Sequence, residues 1–191
     1  TLAAMLAKAG GVAIEPAVAI VRVTRAGRTG KVWLKDLWAS PALDIALRPG
    51  DQIVIEQDER RFTALGATGS QQLVPFESET LSAIEAIATV GGLQTAAADP
   101  TGVFVFRHEP AEIANIVLGR KDLTGDQRMV YVLDLTAPTG MFEARDFLIR
   151  DGDTVYVTEA PYVQWNKTLA ALTGATAATS DLASTATNIG N

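Results

Sequence analysis

The 191-residue chain contains no cysteine, which excludes disulfides, thiol nucleophiles and cysteine-ligated metal sites. Histidine is almost as scarce, because the only one, His108, stands beside Glu109 and Pro110 at the predicted end of a strand. Acid–base catalysis needs a positioned partner for such a residue, and nothing in the sequence supplies one. We therefore predict an exposed histidine, no catalytic residues, no metal site and no cofactor.

The chain also lacks long apolar runs and an excess of positive charge. No apolar stretch approaches the roughly 18 residues of a membrane-spanning helix, and 16 Lys and Arg against 22 Asp and Glu give a net charge of -6. That balance disfavours a nucleic-acid binder, which needs a basic face. The two signs are unevenly divided: residues 1–50 hold seven basic and three acidic side chains, and the remainder holds nine and nineteen.

What the chain does contain is an internal repeat within a globular composition of 48% hydrophobic and 20% charged residues. Residues 1–11 resemble residues 80–92, since each begins with Thr, has apolar residues at helical spacing and ends in Gly-Gly. These signals predict two helices, the second over 80–90. The residues of the second helix predicted to face a sheet are Leu81, Ile84, Ile87 and Ala88.

Two further blocks recur in the same order. Residues 32–37 match residues 130–135, an alternating strand followed by Asp-Leu, and residues 47–55 match residues 149–157, a turn followed by a strand. The turns contain Pro-Gly-Asp in the first copy and Asp-Gly-Asp in the second. We interpret both as tight turns rather than cation sites, because Pro, Gly and Asp each favour such a turn.

A complete unit is predicted to run from a hairpin through a helix to further strands. In the second unit, strand-like runs at 61–66 and 71–76 form the hairpin. The first unit begins at its helix, so its opening hairpin is expected upstream of residue 1. The second unit also carries a loop insertion near 109–128, whose apolar residues should cap the domain's own edge or meet a partner. Those residues are Ile113, Ile116, Val117 and Leu118.

This order of elements predicts an α+β fold in which one helix covers one face of a mixed sheet. We place a first, N-terminally truncated domain at 1–60 and a second at 61–160. An Ala- and Thr-rich tail follows at 161–191.

The repeated blocks resemble the SLBB module, a soluble-ligand-binding β-grasp, whose pattern is strand, Pro/Gly turn, helix ending in Gly-Gly, and a closing turn before a final strand. The second copy is more specifically similar to outer-membrane polysaccharide export proteins of the capsule export type. That similarity rests on Val-Tyr-Val-Leu-Asp-Leu-Thr-Ala-Pro at 130–138, Met-Phe-Glu-Ala-Arg-Asp-Phe at 141–147 and Arg-Asp-Gly-Asp-Thr-Val-Tyr-Val at 150–157, running into Ala160 and Pro161.

The resemblance implies two tandem β-grasp (SLBB) domains, the first lacking its opening hairpin, in a protein that is not an enzyme. It implies a periplasm-facing, outer-membrane-associated assembly that exports capsular or extracellular polysaccharide. In the full-length protein the subunits would form a homo-oligomeric ring, with the SLBB domains as ring-building spacers. Expected partners are the polysaccharide, inner-membrane export or co-polymerase components, and the outer membrane, reached through segments largely outside this chain. A soluble ligand- or glycan-binding β-grasp module is the alternative.

Two groups of residues are candidates for contact with a ligand or a neighbouring subunit. The basic group, on one predicted hairpin, either protects a solvated edge or binds an acidic polymer or an acidic neighbouring subunit. It contains Arg22, Arg25, Arg28, Lys31 and Lys35. The aromatic pair, Trp33 and Tyr131, is predicted at equivalent strand positions, where the rings serve the core, an interface or sugar stacking.

Overall fold

The structure, a computed structural model, describes residues 1–160, so the tail predicted at 161–191 lies outside the described residues. Its first 57 residues form a three-stranded antiparallel sheet with two helices. The elements in chain order are α1 (Leu2–Lys8), β1 (Ala19–Arg25), β2 (Arg28–Trp33), α2 (Leu34–Ala39), a 3-10 turn (Pro41–Leu43) and β3 (Gln52–Gln57). The strand order is β2-β1-β3, and α1 and α2 pack on the same side, where β1 buries its alternate residues Ala19, Val21 and Val23.

The remaining described residues form a five-stranded mixed sheet with three helices. The elements are β4 (Arg61–Gly66), β5 (Gln72–Pro75), α3 (Ala83–Thr89), β6 (Ala98–Glu109), α4 (Ala111–Leu118), β7 (Gln127–Leu133), α5 (Pro138–Asp146) and β8 (Thr154–Glu159). The strand order is β5-β4-β8-β6-β7, and only the β4–β8 pair among them is parallel. The α+β prediction and the predicted β4–β5 hairpin are confirmed.

One face of the five-stranded sheet is covered by two helices, α3 and α5, where the sequence predicted one. The strands contribute alternate residues to this core, as period-two burial requires. The buried strand residues include Phe62, Ala64, Val103, Val105, Val155 and Val157, and the helices add Ala83, Ala86, Ile87 and Ala144. The core therefore lies between one helical layer and one sheet face, and the other sheet face is left outside it.

Helix α3 begins at Ala83, three residues after the predicted start at Thr80, and its cap is Ser82. The Ser82 hydroxyl accepts the backbone N–H of Glu85, whose carboxylate in turn accepts the Ser82 N–H at 2.8 Å. This capping box satisfies two N–H groups that a helix start leaves unpaired. The buried side of the helix also differs from the prediction. Ala83, Ala86 and Ile87 are buried, whereas Ala88 is exposed, so the prediction for Ala88 was wrong.

The predicted insertion near 109–128 is not a plain loop. It contains the end of β6, the whole of α4 and the start of β7. Of the apolar cluster predicted there, Ile116, Val117 and Leu118 are exposed, while the neighbouring Ala114 is buried. The three exposed side chains therefore do not cap the edge of their own domain.

The turn before the last strand of each sheet is fixed by the same side-chain arrangement, which we call the Arg–Asp clasp. Arg107 donates to the two carboxylate oxygens of Asp153 at 2.9 and 2.6 Å, and Arg25 donates to those of Asp51 at 2.8 and 2.7 Å. Each guanidinium also donates to a backbone carbonyl five residues before its aspartate. The aspartates thus serve the predicted turns, where Gly152 has a φ of 80°.

Within residues 1–160, no helix combines the length and the apolar character that crossing a membrane requires.

Candidate functional site

An open groove of about 1020 Å³ lies between the outer face of the three-stranded sheet and the start of the second half of the chain. The sheet side of the groove contains alternate residues of β1 and β2, because side chains two apart on a strand share a face, and the last two residues of β3. The residues lining the groove are Ile20, Arg22, Lys31, Trp33, Glu56, Gln57, Asp58, Glu59, Arg60, Arg61, Glu79, Thr80 and Asp151.

Trp33 lies at the end of β2 and contacts the second half of the chain through Arg60. The Arg60 guanidinium stands 5.4 Å from the centre of the Trp33 ring and 4.6 Å from the centre of the Phe76 ring. It also donates to Asp58 and to the backbone carbonyl of Glu79, both within 3.0 Å. A cation on an aromatic face is stabilised by the ring quadrupole, so this contact fixes one wall of the groove.

Several charges in and beside the groove form pairs of opposite sign. Arg22 forms an ion pair with Glu56 of a neighbouring strand, and the Lys35 ammonium lies 3.1 Å from the carboxylate of Glu79, which lines the groove. These pairs are about 40% exposed, and exposed pairs contribute only about 0–1 kcal/mol to stability. Breaking these ion pairs would therefore cost little free energy, and a hydroxyl-rich ligand beside the half-buried Trp33 ring could take their place as a hydrogen-bond partner.

The basic candidates do not form a single patch. Arg22 and Lys31 are directly opposite each other in the β1–β2 pair and face the groove. Arg25 points to the other side, where the clasp with Asp51 engages it, and Arg28 is exposed beside it. Arg25, Arg28 and Lys31 border a second, smaller groove of about 320 Å³.

The clasp with Arg25 alters the acidity of Asp51. Hydrogen bonds from the Arg25 guanidinium and from the Arg48 backbone N–H stabilise the carboxylate and lower the pKa of Asp51 to about 2. The aspartate is therefore ionised throughout the physiological range and bound by its own chain.

Tyr131 lies in the second half, away from the groove, on the core side of β7. Its ring is 5.1 Å from that of Phe147, and its hydroxyl donates to Glu109 at 2.9 Å. Burial alone would raise the pKa of Glu109, but hydrogen bonds from Tyr131 and the positive charges of Arg150 and Arg107 outweigh it, so that the pKa is lowered. Glu109 is thus a buried carboxylate held ionised by its neighbours.

Trp33 and Tyr131 do not occupy equivalent positions, contrary to the prediction. Strands β1 and β6 are matched through their partners, because Val21 is opposite Ile55 and Val103 is opposite Val157, two residues that the repeat aligns. On the other side, Val21 is opposite Val32 and Val103 is opposite Leu133. The strand pairing therefore differs from the sequence match by an odd number of residues, and an odd shift moves a side chain to the other face of the sheet. Trp33 consequently faces the groove, and Tyr131 faces the core.

The sequence reasoning missed Arg60, Glu56 and Glu79 as parts of the groove. Glu56 gives no local signal, because its partner Arg22 is in another strand. Arg107 and Glu109 do leave a signal, because they continue the inward-facing period of Val103 and Val105 with charged residues. Within residues 1–160 there is no group of three or more acidic or histidine side chains able to hold a metal ion.

Comparison with known proteins gives one family and several relatives. The SLBB domain family matches residues 60–157. The chain is 35% identical over 155 residues to the capsule polysaccharide export protein BexD of Haemophilus influenzae, covering 78% of this chain and 39% of BexD. It is 32% identical over 157 residues to the capsule polysaccharide export outer membrane protein CtrA of Neisseria meningitidis, covering 78% of this chain and 40% of CtrA.

A third relative is named for the Vi polysaccharide. The Vi polysaccharide export protein VexA/TviF of Salmonella typhi is 30% identical over 151 residues, which cover 79% of this chain and 41% of the relative. The chain thus spans about 40% of the length of the curated relatives it matches. All three of these relatives are named as export proteins.

Proposed function

The chain carries an SLBB domain and belongs to the outer-membrane polysaccharide export family, and on that premise we propose that it forms the periplasm-facing part of an assembly exporting capsular or extracellular polysaccharide. The observation that carries the proposal is the extended similarity to three polysaccharide exporters, which covers more of the chain than the SLBB match alone. The proposed role is in transport and assembly, and it involves no covalent chemistry.

We further propose that residues 1–60 are a second, incomplete β-grasp unit in tandem with residues 61–160. The repeated Arg–Asp clasp supports this, and so do the helix ends. The N–H of Gly11 bonds to the carbonyl of Leu6 and that of Gly92 to the carbonyl of Ile87, both at 2.9 Å. Such matching of backbone contacts is expected where one supersecondary unit is used twice.

In the full-length protein, the tandem units would act as spacers in a homo-oligomeric ring beneath the outer membrane. The opposite charge of the two halves supports head-to-tail contacts and disfavours head-to-head contacts. The polysaccharide and inner-membrane export or co-polymerase components would be its other partners.

A glycan-binding module is the second candidate function, and the groove at Trp33 favours it. Aromatic rings beside paired polar groups can recognise the apolar face and the hydroxyls of a sugar. We propose Arg22, Lys31 and Trp33 as contacts with the polysaccharide or with a neighbouring subunit. Arg25, Arg28, Lys35 and Tyr131 would contribute indirectly, through the arrangement of their own strands and helix.

The test is deletion of the gene in its own organism, with polysaccharide measured on the cell surface and inside the cell. An exporter predicts loss of surface polymer together with retention of polymer inside, and restoration of both by the wild-type gene. If the amount and the chain length of surface polysaccharide were both unchanged in the deletion strain, the proposal would be wrong. A normal amount of surface polysaccharide with an altered chain length would favour the glycan-binding candidate.

A further inference from the structure

The smaller groove, of about 320 Å³, lies beside the edge strand β2 and is bordered by Arg25 of the first clasp. Its walls are mostly apolar, and two of them, Leu43 and Ile45, are 40% and 41% exposed. The apolar residues that line it are Leu2, Val23, Val32, Ala42, Leu43 and Ile45. A concave apolar surface with a few polar groups at its border is typical of a binding site.

The second sheet shows which group fills the same space in the other half of the chain. Val23 of β1 corresponds to Val105 of β6, because their partners on β3 and β8 are aligned in the repeat. On the other side, Val23 is opposite Gly30, whereas Val105 is opposite Tyr131. The first sheet therefore has a glycine, which has no side chain, where the second has a phenol ring.

The neighbour of that ring is also smaller in the first sheet. The ring of Tyr131 packs against that of Phe147 at 5.1 Å. Ile45 has the position of Phe147, because their backbone carbonyls accept the N–H of the first residue of α1 and of α3, at 3.0 and 2.8 Å respectively. A glycine and an isoleucine thus stand in place of two aromatic rings, and the groove is left open.

The arginine that contacts these rings is present in both sheets. The Arg107 guanidinium lies 5.6 Å from the centre of the Tyr131 ring and 4.8 Å from that of Phe147, and its Nη1 donates to Glu109. Arg25 makes the same clasp, but among residues 1–160 it has no ring against it and no acceptor for its Nη1. The Arg25 guanidinium can therefore receive both an aromatic face and a carboxylate.

The carboxylate of the second sheet is missing from the first as well. Glu109 lies two residues after the clasp arginine, and Gly27 has that position in the first sheet. Arg28 and Lys31 border the groove and form no ion pair with any of residues 1–160. None of the described residues that line the groove is acidic. Charge complementarity thus favours a ligand with a carboxylate beside its ring.

We propose that the smaller groove binds a segment of another polypeptide that presents an aromatic side chain beside a carboxylate. The ring packs on the Arg25 guanidinium in the space left by Gly30, and the carboxylate accepts hydrogen bonds from Arg25 Nη1 and from Arg28. An apolar cavity of about 150 Å³ is enough for a benzene ring, so the groove has room for a phenol. Sugars have no aromatic ring, so this site is distinct from the glycan contacts proposed at Trp33.

The first test titrates three peptides against the full-length protein in detergent, with binding followed by saturation-transfer NMR. Acetyl-Glu-Tyr-amide has both groups, acetyl-Gln-Tyr-amide lacks the carboxylate, and acetyl-Glu-Leu-amide lacks the ring. The dissociation constant of the first should be lower than those of the other two by about fivefold, since each control peptide loses one contact with a guanidinium. Equal dissociation constants for the three peptides, or no binding of the first, would overturn the inference.

The second test fills the groove from within the chain. A Cβ at Gly30 meets no atom within 4 Å, so Gly30→Tyr should fold and place its ring where Tyr131 lies in the second sheet. The variant should bind acetyl-Glu-Tyr-amide about tenfold more weakly, because its own ring occupies the site. Gly30→Ala is the matched control and should bind as wild type does. Unchanged binding in Gly30→Tyr, at a melting temperature no lower than that of wild type, would overturn the inference.

Two further measurements test whether the ring comes from another polypeptide. Deletion of residues 161–191 should leave the dissociation constant of acetyl-Glu-Tyr-amide unchanged. If the deletion lowered it, the chain's own tail would be the occupant and the inference would be wrong. 4-Hydroxyphenylacetate, which has the ring and the carboxylate without a peptide, should bind more weakly than the peptide. Tighter binding of this acid would assign the groove to a small aromatic acid and would also overturn the inference.

Discussion

Arg107 and Asp153 form a buried bidentate ion pair that joins β6 to the turn before β8. Their side chains are 6% and 2% exposed, so neither charge has water as an alternative partner. The positive charge also serves Glu109, which is 1% exposed and bonded to Arg107, Tyr131 and Arg150. The final turn of the domain is therefore fixed by one connected network of buried charges.

Removing Arg107 should strongly destabilise the domain. Arg107→Met leaves two carboxylates buried with an incomplete set of partners, and breaking a buried pair in this way costs about 3–5 kcal/mol. The free energy of urea unfolding of the chain measures this loss. Arg25→Met is the matched control in the first sheet, where the guanidinium is 35% exposed, so its loss should be clearly smaller. If the two variants lost equal free energies of unfolding, the burial of Arg107 would not explain its effect on stability.

Stability should fall as the pH is lowered through the range in which Asp51 is protonated. Its folded pKa of about 2 is below the value of about 3.9 for an unfolded aspartate. The stabilisation is therefore complete above about pH 4 and is lost progressively as the pH falls towards 2. Unfolding free energies measured between pH 7 and 2 should show a shallower decline in Asp51→Asn than in wild type. If the unfolding free energies of the two proteins fell equally with pH, the clasp would not stabilise the ionised form of Asp51.

The start of α3 can be tested by comparing two neighbouring hydroxyl residues. Ser82→Ala removes the capping box and should cost about 1 kcal/mol. Thr80→Ala should leave the unfolding free energy nearly unchanged, because the Thr80 side chain lies outside the helix and does not cap it. A larger loss of unfolding free energy in Thr80→Ala than in Ser82→Ala would indicate that the helix begins at Thr80.

The groove predicts a difference between two tryptophans. Trp33→Ala should weaken binding of the organism's own capsular polysaccharide about tenfold, because a lost aromatic contact is worth about 1 kcal/mol or slightly more. Trp38→Ala is the control, since Trp38 is 57% exposed on α2 and does not line the groove. Binding would be measured by calorimetry on the full-length protein. The same affinity for Trp33→Ala and wild type would remove Trp33 from the proposed glycan contacts.

Local signals predicted most of the fold. The Gly-Gly helix ends, the β4–β5 hairpin and the Asp-containing turns are each encoded by residues close together in sequence, so their positions could be read directly. The start of α3 was less certain, because Thr80 and Ser82 are both suitable caps and only the position of Glu85 distinguishes them.

The site could not be predicted to the same extent, because its contacts join residues far apart in sequence. Arg60 reaches Trp33, and Lys35 reaches Glu79, only after the two halves of the chain have come together. The faces of Trp33 and Tyr131 depend on strand register, which the sequence match gave incorrectly. The exposure of Phe106 was also missed, because Phe104 and Phe106 alternate with the buried Val103 and Val105 in a run in which every residue is apolar.

The native mass of the full-length protein in detergent tests the central claim most directly, because a ring-building spacer must assemble with copies of itself. We expect one defined species that contains two or more subunits. A monomer at the same protein concentration that still binds polysaccharide would contradict the account and leave the glycan-binding module in its place.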